Sequence, residues 1–146
     1  MPAGREMIAD SVPHALSLLY CTLGAGEICD LNIRSQPMQM CITFTYRTQA
    51  VGCAVTIELV REECQPRSFA FGFDERIVTR TIDLDTYAIS FGYQGRSLAI
   101  PDPLALSVKD FVSALDKGYA PLIGPAHILN TTVLLQRISA GTVPGA

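Results

Sequence analysis

Asp10 and His14 stand four residues apart, just ahead of a strongly apolar stretch. At this spacing two helical side chains lie about one turn apart, on the same side of the helix. Imidazole gains and loses a proton near neutral pH, and a carboxylate can bind or orient a hydroxyl group beside it. The pair is therefore a candidate acid/base site. The competing interpretation is structural, with Asp10 capping the helix and His14 bonded to it.

Leucine and tyrosine side chains recur at helical spacing after this pair, and Gly24 and Gly26 follow them. The pattern predicts a helix that Asp10 or Ser11 caps, with Pro13 in its first turn, where a missing N–H is tolerated. The glycines are expected to end it.

The middle of the chain alternates between apolar and small or polar residues, with short turns between the runs. This period of two predicts about seven strands joined mostly by hairpins. A helix is expected from Asp102 and Pro103 to Gly118, and a last one between Pro125 and Gly141. We expect an α+β fold in one domain, 1–146: a largely antiparallel open sheet of six or seven strands with helices on one face.

The faces opposite the apolar ones carry small, mildly polar side chains. Such a sheet can pack against a second sheet, which predicts a homodimer or larger homo-oligomer through the open face. The residues that suggest this face are Cys41, Thr43, Thr45, Ala54, Thr56, Ala88 and Ser90.

Composition excludes several classes of protein. Hydrophobic residues make up 49% of the chain, charged residues 17%, and the net charge is −3, so there is no basic footprint for nucleic acid. The five cysteines include no CxxC pair, so we expect neither a metal site nor a disulfide framework. This use of cysteine favours a cytoplasmic location. The apolar run 15–23 is too short to span a bilayer. His127 has no acidic neighbour in sequence and receives no role.

Two stretches resemble the C-terminal domain of the Gfo/Idh/MocA oxidoreductases, the glucose-fructose oxidoreductase and inositol dehydrogenase family. The first is Asp10-Ser-Val-Pro-His14 followed by an apolar helix that ends at Leu23-Gly24. The second is the helix after Asp102, the link Gly118-Tyr-Ala-Pro121 and the closing helix. Together with the intervening strands, the resemblance covers nearly the whole chain.

The resemblance implies that His14 is a general acid/base on a substrate hydroxyl and that Asp10 binds or orients the substrate. It also implies an NAD(P) cofactor, but the family's dinucleotide-binding domain and its Glu-Lys-Pro motif have no counterpart in these residues. Residues 24–26 do not replace them, because a third glycine is missing and they follow a helix instead of a strand. The chain alone is therefore expected to bind no cofactor.

Three functions follow as hypotheses. The first is the substrate-binding and oligomerising domain of an NAD(P)-dependent oxidoreductase acting on a sugar, cyclitol or similar polyol, completed by a separate Rossmann-domain chain or as part of a longer enzyme. The second is a cofactor-independent isomerase, dehydratase or cyclase that uses Asp10 and His14. The third is a non-catalytic module that assembles through its sheet.

Overall fold

The computed structural model describes residues 3–141, with side chains from Glu6 onward. Within these bounds the chain has three helices and seven strands, as the sequence predicted. The helices are α1 (Ala3–Leu23), α2 (Pro103–Lys117) and α3 (Pro125–Ala140). The strands are β1 (Glu27–Ser35), β2 (Gln39–Arg47), β3 (Gly52–Val60), β4 (Ala70–Phe73), β5 (Arg76–Ile82), β6 (Ile89–Tyr93) and β7 (Arg96–Ile100).

The predicted α+β class and antiparallel pairing are confirmed, but the single sheet of six or seven strands is wrong. The strands form two sheets, with orders β1-β2-β3 and β4-β5-β6-β7. Hairpins join the strands within each sheet, whereas the charged segment 61–69 separates β3 from β4. Since no tight turn brings β4 back along β3, β4 pairs with β5 alone.

The same segment divides the chain into two compact units. The first unit contains the residues up to Arg61 and those from Ile123 onward, and the second is Glu62–Leu122. The interpretation of 1–146 as one domain resembling the oxidoreductase C-terminal domain stays a prediction.

The core of the first unit lies between its helices and one face of its sheet. Alternate residues of β2 are buried, and their partners on β3 are apolar as well, as are Ile28 and Ile33 opposite them on β1. Burial of these side chains against α1 and α3 supplies most of the stabilisation of the unit. The buried set is Ile8, Val12, Leu16, Leu19, Ile28, Met40, Ile42, Phe44, Tyr46, Ile57, Leu59, Leu134 and Ile138.

Helix α1 begins at Ala3, so the predicted start at Asp10 or Ser11 is wrong. Ile8 and Val12 lie on the buried side of the helix together with Leu16, and their burial stabilises the helix upstream of Asp10. Pro13 consequently lies inside the helix instead of in its first turn. Its ring removes one backbone donor at that point.

The opposite face of the three-stranded sheet carries five of the small residues named above, whereas Ala88 and Ser90 lie in or beside the other sheet. Cys41, Thr43 and Thr45 on β2 are half-buried, and Ala54 and Thr56 on β3 are exposed. The alternation along β2 therefore separates an apolar inner face from a small, mildly polar outer face.

The second unit contains the four-stranded sheet and α2. Phe69 and Phe71 have ring centroids 5.9 Å apart, and the guanidinium of Arg80 lies over the Phe69 ring. Helix α2 begins and ends where predicted: the Asp102 side chain accepts a hydrogen bond from the Leu104 backbone N–H, and the backbone is left-handed at Gly118. Most of its apolar stripe is exposed, with only Ala114 buried.

Candidate functional site

Asp10 and His14 both lie on the side of α1 that faces away from the core. Each is exposed, whereas Ile8, Val12 and Leu16 on the opposite side are buried. Because α1 runs unbroken through both positions, the two side chains project one turn apart from the same surface. The structure thus provides the juxtaposition that the sequence predicted, and their catalytic roles stay predictions.

The exposed side of α1 carries two further polar residues in line with this pair. Ser17 and Cys21 follow His14 at spacings of three and seven residues, which places all four on one side of the helix. We call Asp10, His14, Ser17 and Cys21 the polar stripe. Ser17 is half-buried and Cys21 is exposed.

His127, in the first turn of α3, meets the C-terminal end of the polar stripe. Its side chain is only 3% exposed. Nε2 of His127 lies 2.8 Å from Ser17 Oγ, and Nδ1 lies 3.9 Å from Cys21 Sγ. The Tyr20 ring packs against the imidazole with centroids 4.3 Å apart. Together, Ser17, Tyr20, Cys21 and His127 form what we call the His127 cluster.

The two ring nitrogens of His127 face partners that can both donate and accept. When Nε2 carries the proton, it donates to Ser17 Oγ and Nδ1 can accept from the Cys21 thiol. With the proton on Nδ1, Ser17 donates to Nε2 and Cys21 Sγ accepts. A doubly protonated ring donates to the serine oxygen and to a thiolate. The cluster can therefore move a proton between sulfur and nitrogen without changing any partner.

Two helix ends meet at this cluster, and their dipoles act on its charges. Cys21 is in the last turn of α1 and His127 in the first turn of α3. In a thiolate–imidazolium pair, the negative C-terminal end of α1 disfavours the thiolate of Cys21, whereas the positive N-terminal end of α3 favours it. For the imidazolium of His127, the end of α3 is unfavourable and the end of α1 is favourable. The two helix ends therefore act on each charge in opposite directions.

Tyr46 fixes the end of α1 beside the cluster. Its hydroxyl donates a hydrogen bond of 2.7 Å to the Gly24 carbonyl, and its ring is fully buried. Burial, with a smaller contribution from Tyr20, raises the pKa of Tyr46. A side chain on Gly26 would collide with this ring, since a Cβ atom there would lie 2.6 Å from the Tyr46 Cζ. A glycine is therefore required where β1 begins.

One turn along α3 from His127, two buried polar atoms lie beside the core. The Asn130 side-chain amide donates to the Gly26 carbonyl at 3.1 Å. Asn130 Oδ1 and Thr131 Oγ1 have no hydrogen-bond partner among the described residues. A buried hydroxyl without a partner loses its hydration and gains nothing in return, so Thr131 destabilises the fold locally.

Residues 24–26 do not fit a dinucleotide. A dinucleotide-binding glycine loop follows a strand and leads into a helix, whose N-terminal N–H groups bind the phosphates. Here Gly24 and Gly26 follow α1 and lead into β1, so the negative end of a helix dipole faces them. The order of helix, glycines and strand is the one that the sequence predicted.

Sequence reasoning missed the His127 cluster entirely. Ser17 and His127 are 110 positions apart, and no local motif marks either residue. Across residues 3–141, no three His, Cys, Asp or Glu side chains are grouped so that they could hold a metal ion. In the same range, no helix has the length and apolar character needed to cross a membrane.

Comparisons with known proteins add no relative: no protein-family model, curated protein or solved structure matches this chain.

Proposed function

We propose that this chain is the substrate-binding and assembly domain of an NAD(P)-dependent oxidoreductase acting on a sugar, cyclitol or similar polyol. The dinucleotide-binding half of the enzyme is supplied by a separate chain or by another part of a longer one. The observation that carries the proposal is the exposed pair on α1: Asp10 and His14 project together from the side that the core leaves open.

The pair has the chemistry that a polyol requires. The His14 imidazole takes the proton from a substrate hydroxyl as the neighbouring carbon is oxidised, and returns it in the reverse reaction. The Asp10 carboxylate accepts a hydrogen bond from a second hydroxyl and so orients the carbon chain. Vicinal hydroxyls suit two groups set one turn apart.

A second surface is needed to complete such a site. Binding pockets cover most of a ligand, whereas one exposed helix side leaves a polyol in contact with water. A dinucleotide-binding domain packed over Asp10 and His14 would close this side and bring the nicotinamide to the hydroxyl. The proposal therefore predicts a partner domain that covers α1.

The test is reconstitution with that domain. The neighbouring reading frame, or the remainder of a longer one, is expected to encode a G-x-G-x-x-G loop and a Glu-Lys-Pro motif. The assembled protein should reduce NAD(P) only when a polyol is present. His14→Ala should lower kcat by about 10²-fold or more, and Asp10→Asn should chiefly raise KM.

Thr22→Ala is the matched control, because Thr22 is also exposed on α1 and its hydroxyl bonds within its own helix, to the Leu18 and Leu19 carbonyls. It should leave both constants unchanged. Equal rates for wild type and His14→Ala would contradict the proposal. Turnover of a polyol by this chain alone, dependent on His14 but not on dinucleotide, would instead support the cofactor-independent enzyme.

Assembly is the second part of the proposal, and the outer face of the three-stranded sheet supports it. Arg34 on β1, Cys41 on β2 and Glu58 on β3 form one row across this face. If two copies stack about a two-fold axis along β2, Arg34 of each lies over Glu58 of the other. The small residues between them allow close approach of the sheets. A monomer over a wide concentration range in sedimentation experiments would contradict this part.

A further inference from the structure

Cys21 differs in its surroundings from the other cysteines of the described chain. It is exposed, and its sulfur lies 3.9 Å from a buried imidazole nitrogen. Cys64 is also exposed but lies in the charged loop of the second unit. The Cys29 thiol faces the Glu27 carboxylate at 3.9 Å, and Cys53 donates to the Ala54 carbonyl.

We propose that Cys21 is a reactive thiol that forms reversible mixed disulfides with low-molecular-weight disulfides, with His127 as its base. The reactive form of a cysteine is the thiolate, and a neighbouring imidazole that accepts the thiol proton raises its population. The proposal goes beyond the polyol chemistry assigned to Asp10 and His14 and does not depend on it.

The hydrogen bonds of His127 suit this role. Ser17 Oγ can accept from Nε2, which leaves the Nδ1 lone pair directed at the Cys21 thiol. After proton transfer both N–H groups of the imidazolium still have acceptors, the serine oxygen and the thiolate. Since the imidazole is almost fully buried and packed against Tyr20, it is held in place before the reaction.

The titratable groups near this end of the first unit include the Tyr20 and Tyr46 hydroxyls, and also Glu27, which pairs in register with Arg47 where β1 begins. Burial raises the pKa of Tyr46, so it remains neutral at physiological pH and adds no charge that would oppose the thiolate. The two helix ends act on each charge in opposite directions, as described above. The base beside Cys21 is therefore His127.

The exchange step is balanced without any further reactant. The Cys21 proton passes to Nδ1 of His127, and the thiolate attacks one sulfur of the small disulfide. The new Cys21–S bond forms as the S–S bond of the reagent breaks. The departing thiolate takes the proton from the imidazolium and leaves as a free thiol. Attack by a second thiol reverses the reaction.

The experiment compares Cys21 with Cys64 in the same folded chain. The protein is treated with glutathione disulfide or an aromatic disulfide between pH 6 and pH 8, and the modified peptides are quantified by mass spectrometry. Cys21 should react about tenfold faster than Cys64 at pH 6.5, and the ratio should fall at higher pH, where thiolates form in general without a neighbouring base.

Two variants distinguish activation of Cys21 by His127 from reactivity that is due to solvent exposure alone. His127→Gln should lower the rate at Cys21 to that at Cys64 and leave Cys64 unchanged. Because a buried substitution can unfold the unit, Ser17→Ala provides the second variant: it keeps the ring and removes only the Nε2 partner, with an expected loss of a few-fold. Equal rates at the two cysteines of the wild type would overturn the proposal, as would a ratio that neither variant changes.

Discussion

The Nδ1 atom of His127 lies 3.9 Å from Sγ of Cys21, although 106 positions separate the two residues in the sequence. The contact joins the last turn of α1 to the first turn of α3. With the Ser17 hydrogen bond and the Tyr20 ring contact, it links the two helices that cover the core. His127 therefore has a structural role that can be measured separately from any reactivity of Cys21.

Replacement of His127 should destabilise the first unit. His127→Ala removes a buried ring, its hydrogen bond to Ser17 and its packing on Tyr20, which we expect to lower the free energy of unfolding by about 2–4 kcal/mol. Urea denaturation followed by circular dichroism measures this. His14→Ala is the matched control, since His14 is exposed on α1, and should change stability by less than about 0.5 kcal/mol. Equal losses of stability in His127→Ala and His14→Ala would contradict the structural role of His127.

Tyr46 should make stability depend on pH in the alkaline range. Its pKa in the folded chain is raised above the ordinary 10.0 by burial, so the folded state retains the proton longer than the unfolded state does. This contribution to stability is complete below pH 10 and is lost as pH rises from there through the folded-state pKa. The Gly24 bond is lost as well, because a phenolate cannot donate.

Tyr46→Phe tests this directly. It should cost about 1 kcal/mol near neutral pH, through loss of the hydrogen bond to Gly24, and should flatten the stability profile above pH 10. Tyr87→Phe is the control, because Tyr87 is 77% exposed. If the wild type and Tyr46→Phe lose stability in parallel above pH 10, the Tyr46 hydroxyl is not responsible.

Removal of the Thr131 hydroxyl should stabilise the fold. Thr131 Oγ1 is buried without a partner among the described residues, and valine keeps a similar shape without the unsatisfied group. Thr131→Val is expected to gain about 1 kcal/mol. The adjacent Thr132 donates its hydroxyl to the Ile128 carbonyl and is exposed, so Thr132→Val should give no gain. Thermal unfolding of both variants measures the difference, and a lower Tm for Thr131→Val would refute the prediction.

Charge exchange should reveal how two copies pack. Arg34→Glu and Glu58→Arg should each weaken the homo-oligomer, since each places like charges opposite one another across the two-fold axis along β2. The double variant restores opposite charges and should recover most of the association, as measured by sedimentation equilibrium. Glu63→Arg, an exposed change in the loop after β3, is the control.

The single and double variants also exclude the main alternative. If the axis ran across the strands, Arg34 would face Glu27 of the second copy, and the exchange between Arg34 and Glu58 would not restore association. In that arrangement Arg34→Glu combined with Glu27→Arg should restore association instead. Wild-type behaviour in every single variant would place the interface elsewhere.

Residue pattern was enough to predict the local elements of this chain. Alternation along β2 and β3 predicted both strands, and Asp102, Pro103 and Gly118 marked the ends of α2, because capping and turn geometry depend on neighbours in sequence. The start of α1 was missed because burial of Ile8 and Val12 stabilises the helix upstream of the predicted caps Asp10 and Ser11.

What the sequence by itself determined was therefore the α+β class, the antiparallel hairpins and the spacing that sets Asp10 and His14 on one side of a helix. Only the tertiary structure decided that the strands divide into two sheets, because the partner of β4 depends on the path of the chain through residues 61–69. It alone also placed His127 against Ser17 and Cys21. Contacts between residues more than 100 positions apart arise from the packing of whole helices, which a local pattern does not encode.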